Sequence, residues 1–417
     1  WGKSKAIISG EFRPVRDANG APASWNFVLR ADQAELAVEE FGLAPMKVDE
    51  WQVAGSLVPR EGRVTISRFA IRSGEASIRL SGSLVDTPGA EEVHLTGEVS
   101  PMPVDVLKRF WPKFLAGKAR GWSLERISGG QVLGGKFAVN LGPGELAKIE
   151  AGEELSPEAV SVELNISGMS IAYISGMPPV LTNEAKLTVA GMEFAVDIPA
   201  GKIAVTSGQA IALSQGRFFI PDLRKDPHQG EITFTAAGTT PTVLELLDHE
   251  PLGYIQSVGL KPDFLGGTAE GGFTLTMPLL ANLEFNQIKV RGAARLNDAI
   301  AANLLGNADV AGGTLDVNLT EEAVEAKGEI NIKGVPAELA WQRIFHEPDE
   351  RQPPIRVTAR LDAEAREKLG MKINHLVQGP TPITLQIARL GEGAPSTMSV
   401  QADLTNAQLL FSGLGWT

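Results

Sequence analysis

The sequence predicts a mainly β protein, an antiparallel sheet of many strands interrupted by a few short helices. Three observations carry this. Apolar residues recur at every second position in run after run, the period of a half-buried strand. Short Gly-containing turns join most of these runs, the connection length of antiparallel hairpins. The 417 residues include 45 Gly and 26 Pro, a density that punctuates many short strands better than a helical bundle.

Taken in order, the first clear hairpin joins Val64–Ile71 to Ala76–Leu84 across Ser73-Gly74-Glu75. The alternation resumes in Phe137–Leu141 and Val160–Ile166, then in Lys186–Val189 and Phe194–Ile198. Further runs are Lys202–Val205, Ala210–Leu213, Arg217–Ile220 and Glu231–Phe234. Each has one apolar and one polar face, and no strand-helix alternation of a parallel α/β sheet occurs.

Helical patterns are few. Pro103–Trp111 reads as a helix with proline near its first turn, and Pro241–Leu247 as a second. Pro336–Phe345 predicts a third, and Asp362–Leu369 a shorter fourth. A glycine precedes each of the first three (Gly97, Gly238, Gly334), and strands resume through Gly129-Gly130, Gly266-Gly267 and Gly379-Pro380. The result is a loose internal repeat, much longer than a β-helix coil. It divides the chain into β segments at 1–100, 129–240, 266–334 and 376–417. Connectors lie at 101–128 and 241–265, with helical connectors and a strand at 335–375.

Composition excludes several chemistries. Cysteine is absent, which removes thiolate zinc sites, thiol catalysis and disulfide scaffolds and is compatible with an oxidising compartment such as a periplasm. The formal net charge of -12 argues against a nucleic-acid partner. The five histidines (94, 228, 249, 346, 375) lack HExxH spacing, so no metal or cofactor is expected. No GxSxG elbow, Walker A sequence or GxGxxG fingerprint occurs. Gly266–Gly272 lacks the Lys-Ser/Thr of a phosphate loop and reads as a plain turn. Glu153-Glu154 and Glu321-Glu322 read as solvated charge, and nothing singles out the carboxylate pair of a glycosidase. The sequons at Asn165 and Asn318 fall within strand patterns.

One local positive patch combines Lys108, Arg109, Lys113, Lys118 and Arg120 with Trp111 and Trp122. It reads as an amphipathic connector over a sheet edge, with a membrane-interface contact as the sharper alternative. No 18-residue apolar window is present. The start at Trp1 and the end at Leu414–Thr417 read as cuts in a longer protein.

The predicted helices are too few to cover the apolar face of so many strands. A second sheet, closure into a barrel, or a curved sheet forming a trough would each resolve this. An open trough requires an apolar occupant, and lipid acyl chains suit an aliphatic lining with only 6% aromatic residues. About 25 strands at about 4.8 Å would span roughly 120 Å, against about 45 Å for a compact globule.

The stretch Ile171–Leu181, containing Gly176-Met177-Pro178-Pro179, leads to the strand Leu187–Val189. It resembles the signature of YhdP-like members of the AsmA-like family. The similarity continues through Gly201-Lys202-Ile203, Ser207–Ile211, Gly216–Phe218, Ile220-Pro221-Asp222, Gly230–Phe234 and Leu246–Leu252. Upstream, Trp111–Leu115 and Ala119–Trp122 are similar to the helix preceding this domain. The resemblance implies an elongated antiparallel β-groove, a taco-like twisted sheet with a few connector helices.

It further implies a non-enzymatic phospholipid transfer protein acting between inner and outer membranes, supporting outer-membrane lipid homeostasis. It would be periplasmic, anchored in the inner membrane by an N-terminal helix outside this chain. Its partners would be a phospholipid or other acyl-chain lipid, and the two membranes or their proteins. The candidate lining is the alternation set. Its first part is Ile78, Leu80, Phe137, Val139, Val162, Leu164, Leu187 and Val189. It continues with Phe194, Val196, Ile203, Val205, Ile211, Leu213 and Phe218, and ends with Ile232, Phe234, Phe273 and Leu275. Val196→Asp with Leu213→Asp should then block passage. The alternative is a scaffold for outer-membrane assembly, with the apolar face a closed core.

Overall fold

In the computed structural model each long strand pairs antiparallel with the next long strand in sequence. The residues described are 4–36, 46–110, 117–250, 252–253, 263, 265–280, 283, 287–301, 309–388 and 397–410. Strands β1 (Ile8–Arg16), β2 (Pro22–Leu36), β3 (Met46–Val58), β4 (Arg63–Ser73), β5 (Ala76–Val85) and β6 (Glu92–Val99) open an antiparallel meander. The short β7 (Met102–Pro103) and helices α1 (Val104–Phe110) and α2 (Gly117–Arg126) follow, then β8 (Ile127–Leu141), α3 (Glu145–Ala151) and β9 (Val160–Ile171). The short β10 (Val180–Thr182) precedes β11 (Ala185–Ala190), β12 (Glu193–Ala204), β13 (Ala210–Ile220) and β14 (Gln229–Thr239).

After α4 (Thr240–Asp248) come β15 (Leu265–Pro278), β16 (Lys289–Ala301), β17 (Val310–Leu319), β18 (Ala323–Ile332), β19 (Val335–Ile344) and β20 (Ile355–Leu361). Helix α5 (Ala363–Lys368) and β21 (Val377–Gln378) lead to β22 (Thr381–Ala388), β23 (Thr397–Ala402) and β24 (Gln408–Leu409). All but β21 and β24, which pair with each other, belong to one 22-stranded sheet. Setting aside the two short strands β7 and β10 leaves a ladder of twenty, about 90 Å along the pairing direction and shorter than the 25-strand expectation.

The predicted helices at Pro103–Trp111, Pro241–Leu247 and Asp362–Leu369 correspond to α1, α4 and α5. Proline sits in the first turn of α4, whose N-cap is Thr239, and Asp362 caps α5 by accepting from the Ala365 N–H at 2.8 Å.

The third predicted helix is instead strand β19. Lys333 and Gly334 both have positive φ (50° and 81°), which suits a two-residue hairpin turn. Ile332 therefore pairs with Val335, and Val335, Ala337 and Leu339 are buried while Pro336 and Glu338 are exposed. The helix-forming composition of Pro336–Phe345 yields to ladders on both sides. The third copy of the loose repeat disappears with it. Segment 335–375, expected as helical connectors with a strand, holds two ladder strands, a 3-10 turn at Asp349–Arg351 and the short helix α5.

Gly266–Gly272 is likewise not a turn but the first half of β15, and Gly129-Gly130 lies within β8. Helix α3 was not expected; Gly144 and Gly152, both left-handed, bracket it.

A meander returns every second connection to the same edge. The turns or segments carrying α1, α2, α4 and α5 all fall on one rim of the sheet, and α3 falls on the other. Burial is deep along the helical rim, where Ala34, Val48, Met102, Val104, Ile127, Ile332 and Val335 lie.

Candidate functional site: one apolar face across twenty strands

Side chains of directly paired residues share a face, so the registers trace continuous rows. One row runs Ile8, Ala31, Trp51, Ile71, Ile78, Val99 and Gly135. It continues through Leu164, Leu187, Val196, Phe218, Ile232, Leu275 and Val290. It crosses fourteen strands without a polar side chain. On β14, Gly238 shares the face of Ile232, six residues away in an unbroken register. From it a second row passes through Ala269, Leu296, Leu315, Gly328, Leu339, Val357, Leu385 and Val400. Together the two rows cover the whole ladder.

The opposite face carries charge in alternating sign. Arg79, Glu98, Lys136 and Glu163 stand opposite one another in succession. So do Lys186, Asp197 and Arg217, and likewise Glu270, Arg295, Asp316 and Lys327. Lys186 meets Glu163 at 2.7 Å, Arg217 meets Asp197 at 2.9 Å and Arg295 meets Asp316 at 2.8 Å. The hydrogen bond and charge of Lys186 hold the Glu163 carboxyl below its ordinary range. A concavity of about 790 Å³ lies over Glu270, Arg295, Asp316 and Lys327. Its opposite charges neutralise each other and mark a solvated outer surface rather than a catalytic cleft. Among the described residues no three His, Asp or Glu side chains cluster as metal ligands.

The nineteen candidate positions all fall on the apolar face, and their environments divide them. Leu164, Leu187, Phe194, Val196, Ile203, Val205, Ile211 and Phe218 are buried. Phe194 is 1% exposed and meets Phe218 edge-on at 6.1 Å. Leu164, Leu187, Phe194, Val196 and Phe218 belong to one packed central block, against which Val106 and Leu107 of α1 and Leu223 pack. Ile78, Leu80, Phe137, Val139, Val162 and Val189 are half-buried, as are Leu213, Ile232, Phe234, Phe273 and Leu275. Half-open stretches thus alternate with packed ones, since Leu315, Leu339 and Val357 form a second buried cluster over β16–β20 and Ala31, Val48 and Ile71 a smaller one over β2–β4. At the two ends of the ladder it is exposed, with Ile8 and Phe12 on β1 and Met398 and Val400 on β23.

The sequence reading missed the continuation of this face at both ends. Phe27, Leu29, Val53 and Phe69 extend it toward the N-terminus, and Leu296, Val317, Leu339 and Val357 toward the C-terminus. Their signal was the same alternation, masked where spacing jumps from two to three. Ala31 is followed by Ala34 across Gln33 (φ 54°), and Leu296 by Ala299 across Asp298 (φ 51°). Ile166 is followed by Met169 across Gly168 (φ 68°). Such irregularities rotate the side-chain phase, bend the strand and increase its twist, which curls a flat sheet into a trough.

They also explain a correction. Phe194–Ile198 and Lys202–Val205, expected as separate runs, belong to the single strand β12 apart from Val205 just beyond it. Ala210–Leu213 and Arg217–Ile220 are likewise one strand, β13, reset at Gln215 (φ 52°).

In the basic patch, Lys108 is buried, donating to the Ile127 carbonyl at 2.6 Å and to Asp105 at 3.2 Å, so it anchors α1 to β8. Trp111 and Lys113 lie outside the described residues, as do the side chains of Lys118, Arg120 and Trp122. No helix among the described residues is long and apolar enough to cross a membrane.

A curled antiparallel sheet with one apolar and one charged face, and its helices mainly on one rim, defines an elongated β-groove protein. A family model described as YhdP protein matches residues 12–414, and the chain belongs to that family. No curated protein and no solved structure matches it.

Proposed function

We propose that this chain is a section of a non-enzymatic lipid conduit that transfers phospholipid between the inner and outer membranes along its apolar groove. The observation that carries this reading is the unbroken apolar row from Ile8 to Val290, joined on β14 to the row ending at Val400. An aliphatic floor suits acyl chains because burial is nonspecific and worth about 0.8 kcal/mol per methylene. The charged outer face keeps the assembly solvated, and headgroups would ride in water at the open side. Membership of the YhdP family supports the same reading. The place of action is the periplasm, with attachment to the inner membrane through a helix outside this sequence.

Transfer of a fluorescent phospholipid between donor and acceptor vesicles tests the proposal. Val196 is 4% exposed within the packed centre, so a carboxylate there would unfold the sheet before it blocked a passage. The half-buried Leu213 and Val317 are the better positions. Leu213→Asp with Val317→Asp should abolish transfer while the β circular dichroism is retained. Undiminished transfer by that folded variant, or a wild-type protein that neither co-purifies with nor takes up lipid, would favour a scaffold.

A further inference from the structure

Glycines recur on the apolar face directly opposite phenylalanines. Phe27 pairs with Gly55, Phe137 with Gly97 and Phe273 with Gly292. At Gly97 and Gly292 a ring atom is the nearest obstacle to a glycine Cβ, and at Gly55 the ring stands behind the Thr65 backbone carbonyl. Phe27 Cζ lies 3.0 Å from that point at Gly55, Phe137 Cε1 2.6 Å at Gly97, and Phe273 Cε1 2.9 Å at Gly292. None of the three glycines has the left-handed backbone that would by itself demand glycine. Two of the rings continue a row of aromatics. Phe12 pairs with Phe27 with ring planes 32° apart, and Phe234 pairs with Phe273 with planes 29° apart. All three rings are half-buried.

We infer that these Phe–Gly pairs set the depth of the groove. A phenylalanine standing upright on the floor would occupy the lumen. With no Cβ opposite, the ring leans across the neighbouring strand, covers its backbone and leaves the space above free. The pairs are positioning elements, and the inference rests on the groove holding acyl chains. They occur on β2–β3, β6–β8 and β15–β16, so they recur along the ladder rather than at one point.

The test is lipid loading of the whole 417-residue chain, measured as fluorescent phospholipid bound per folded protein. Gly97→Ala should push the Phe137 ring off the floor and lower loading several-fold. Gly97→Ala with Phe137→Ala should restore it, because the obstruction is then gone. Backbone carbonyls also approach the Gly97 site, Arg79 O at 2.6 Å. Gly292→Ala, alone and with Phe273→Ala, provides a second pair, where the nearest carbonyl, Gly272 O, stands slightly farther off at 2.8 Å. Wild-type loading in the single variants overturns the inference, and so does a double variant as impaired as its single.

If the wild-type protein binds no lipid, the transport reading falls and the ring placement is judged separately. NMR of glycine-labelled protein should show Gly97 Hα shifted upfield by the ring current, and Phe137→Leu should remove that shift. Its absence in the wild type overturns the pairing itself.

Discussion

Val196 and Ile203 lie on one strand, seven residues apart, and both face the groove. An uninterrupted strand would send them to opposite faces, because seven is odd. Val196 pairs with Phe218, which pairs with Ile232. Ile203 pairs with Ile211, whose side chain lies against Gly238, six residues from Ile232 on an unbroken strand. The extra residue is accommodated around Pro199 and Ala200 on β12 and around Gln215 on β13.

The phase reset should therefore tolerate glycine and resist branching. Gln215→Gly relieves a left-handed residue and should raise the melting temperature. Gln215→Val should destabilise by about 1–2 kcal/mol, since β-branched residues fit that region worst. Equal stability of the two variants in urea denaturation would count against the reset at this residue.

The packed centre should behave as a true core. Phe194→Ala removes a ring that is 1% exposed and should cost about 3–5 kcal/mol. Phe234→Ala, on the half-open stretch, should cost distinctly less. Chemical denaturation of the two variants side by side decides it.

Arg366 is 1% exposed, and its guanidinium ties the chain after α5 to the sheet. It donates to the carbonyls of Leu361 (3.0 Å), Gly379 (2.9 Å) and Val377 (3.2 Å), and to Asn374 Oδ1 (2.7 Å). Arg366→Met would strand the buried Leu361 carbonyl and three part-buried acceptors and should destabilise by about 3 kcal/mol. Protease cleavage within 370–379 should accelerate as well; unchanged cleavage would show that the loop is held by other contacts.

Burial pushes the Tyr173 phenol up from 10.0 to about 12. A folded-state value above the unfolded one stabilises the protein below pH 10 and is lost as pH rises from 10 toward 12. Tyrosinate absorbance gives a clean reading because the chain has only 2 Tyr. In a Tyr254→Phe background, Tyr173 should ionise about two units late, and Tyr173→Phe should remove its share of the alkaline loss of stability. Ordinary ionisation near pH 10 would mean that the phenol is solvated.

The sequence by itself determined the antiparallel meander, three of the five α-helices among the described residues and the face on which the aliphatic residues lie. Those features are local. Alternation at period two, proline in a first turn and glycine in a short turn act over a few residues, and each is written where it acts. Only the tertiary structure decided that β12 and β13 are single strands, because a reset of phase looks in sequence like the end of one strand and the start of another. It also turned Pro336–Phe345 into strand β19, where ladders on both sides outweigh helix-forming composition. The alternation of packed and half-open stretches along one apolar face depends on contacts between many strands and the helices at their rim. No single run records it.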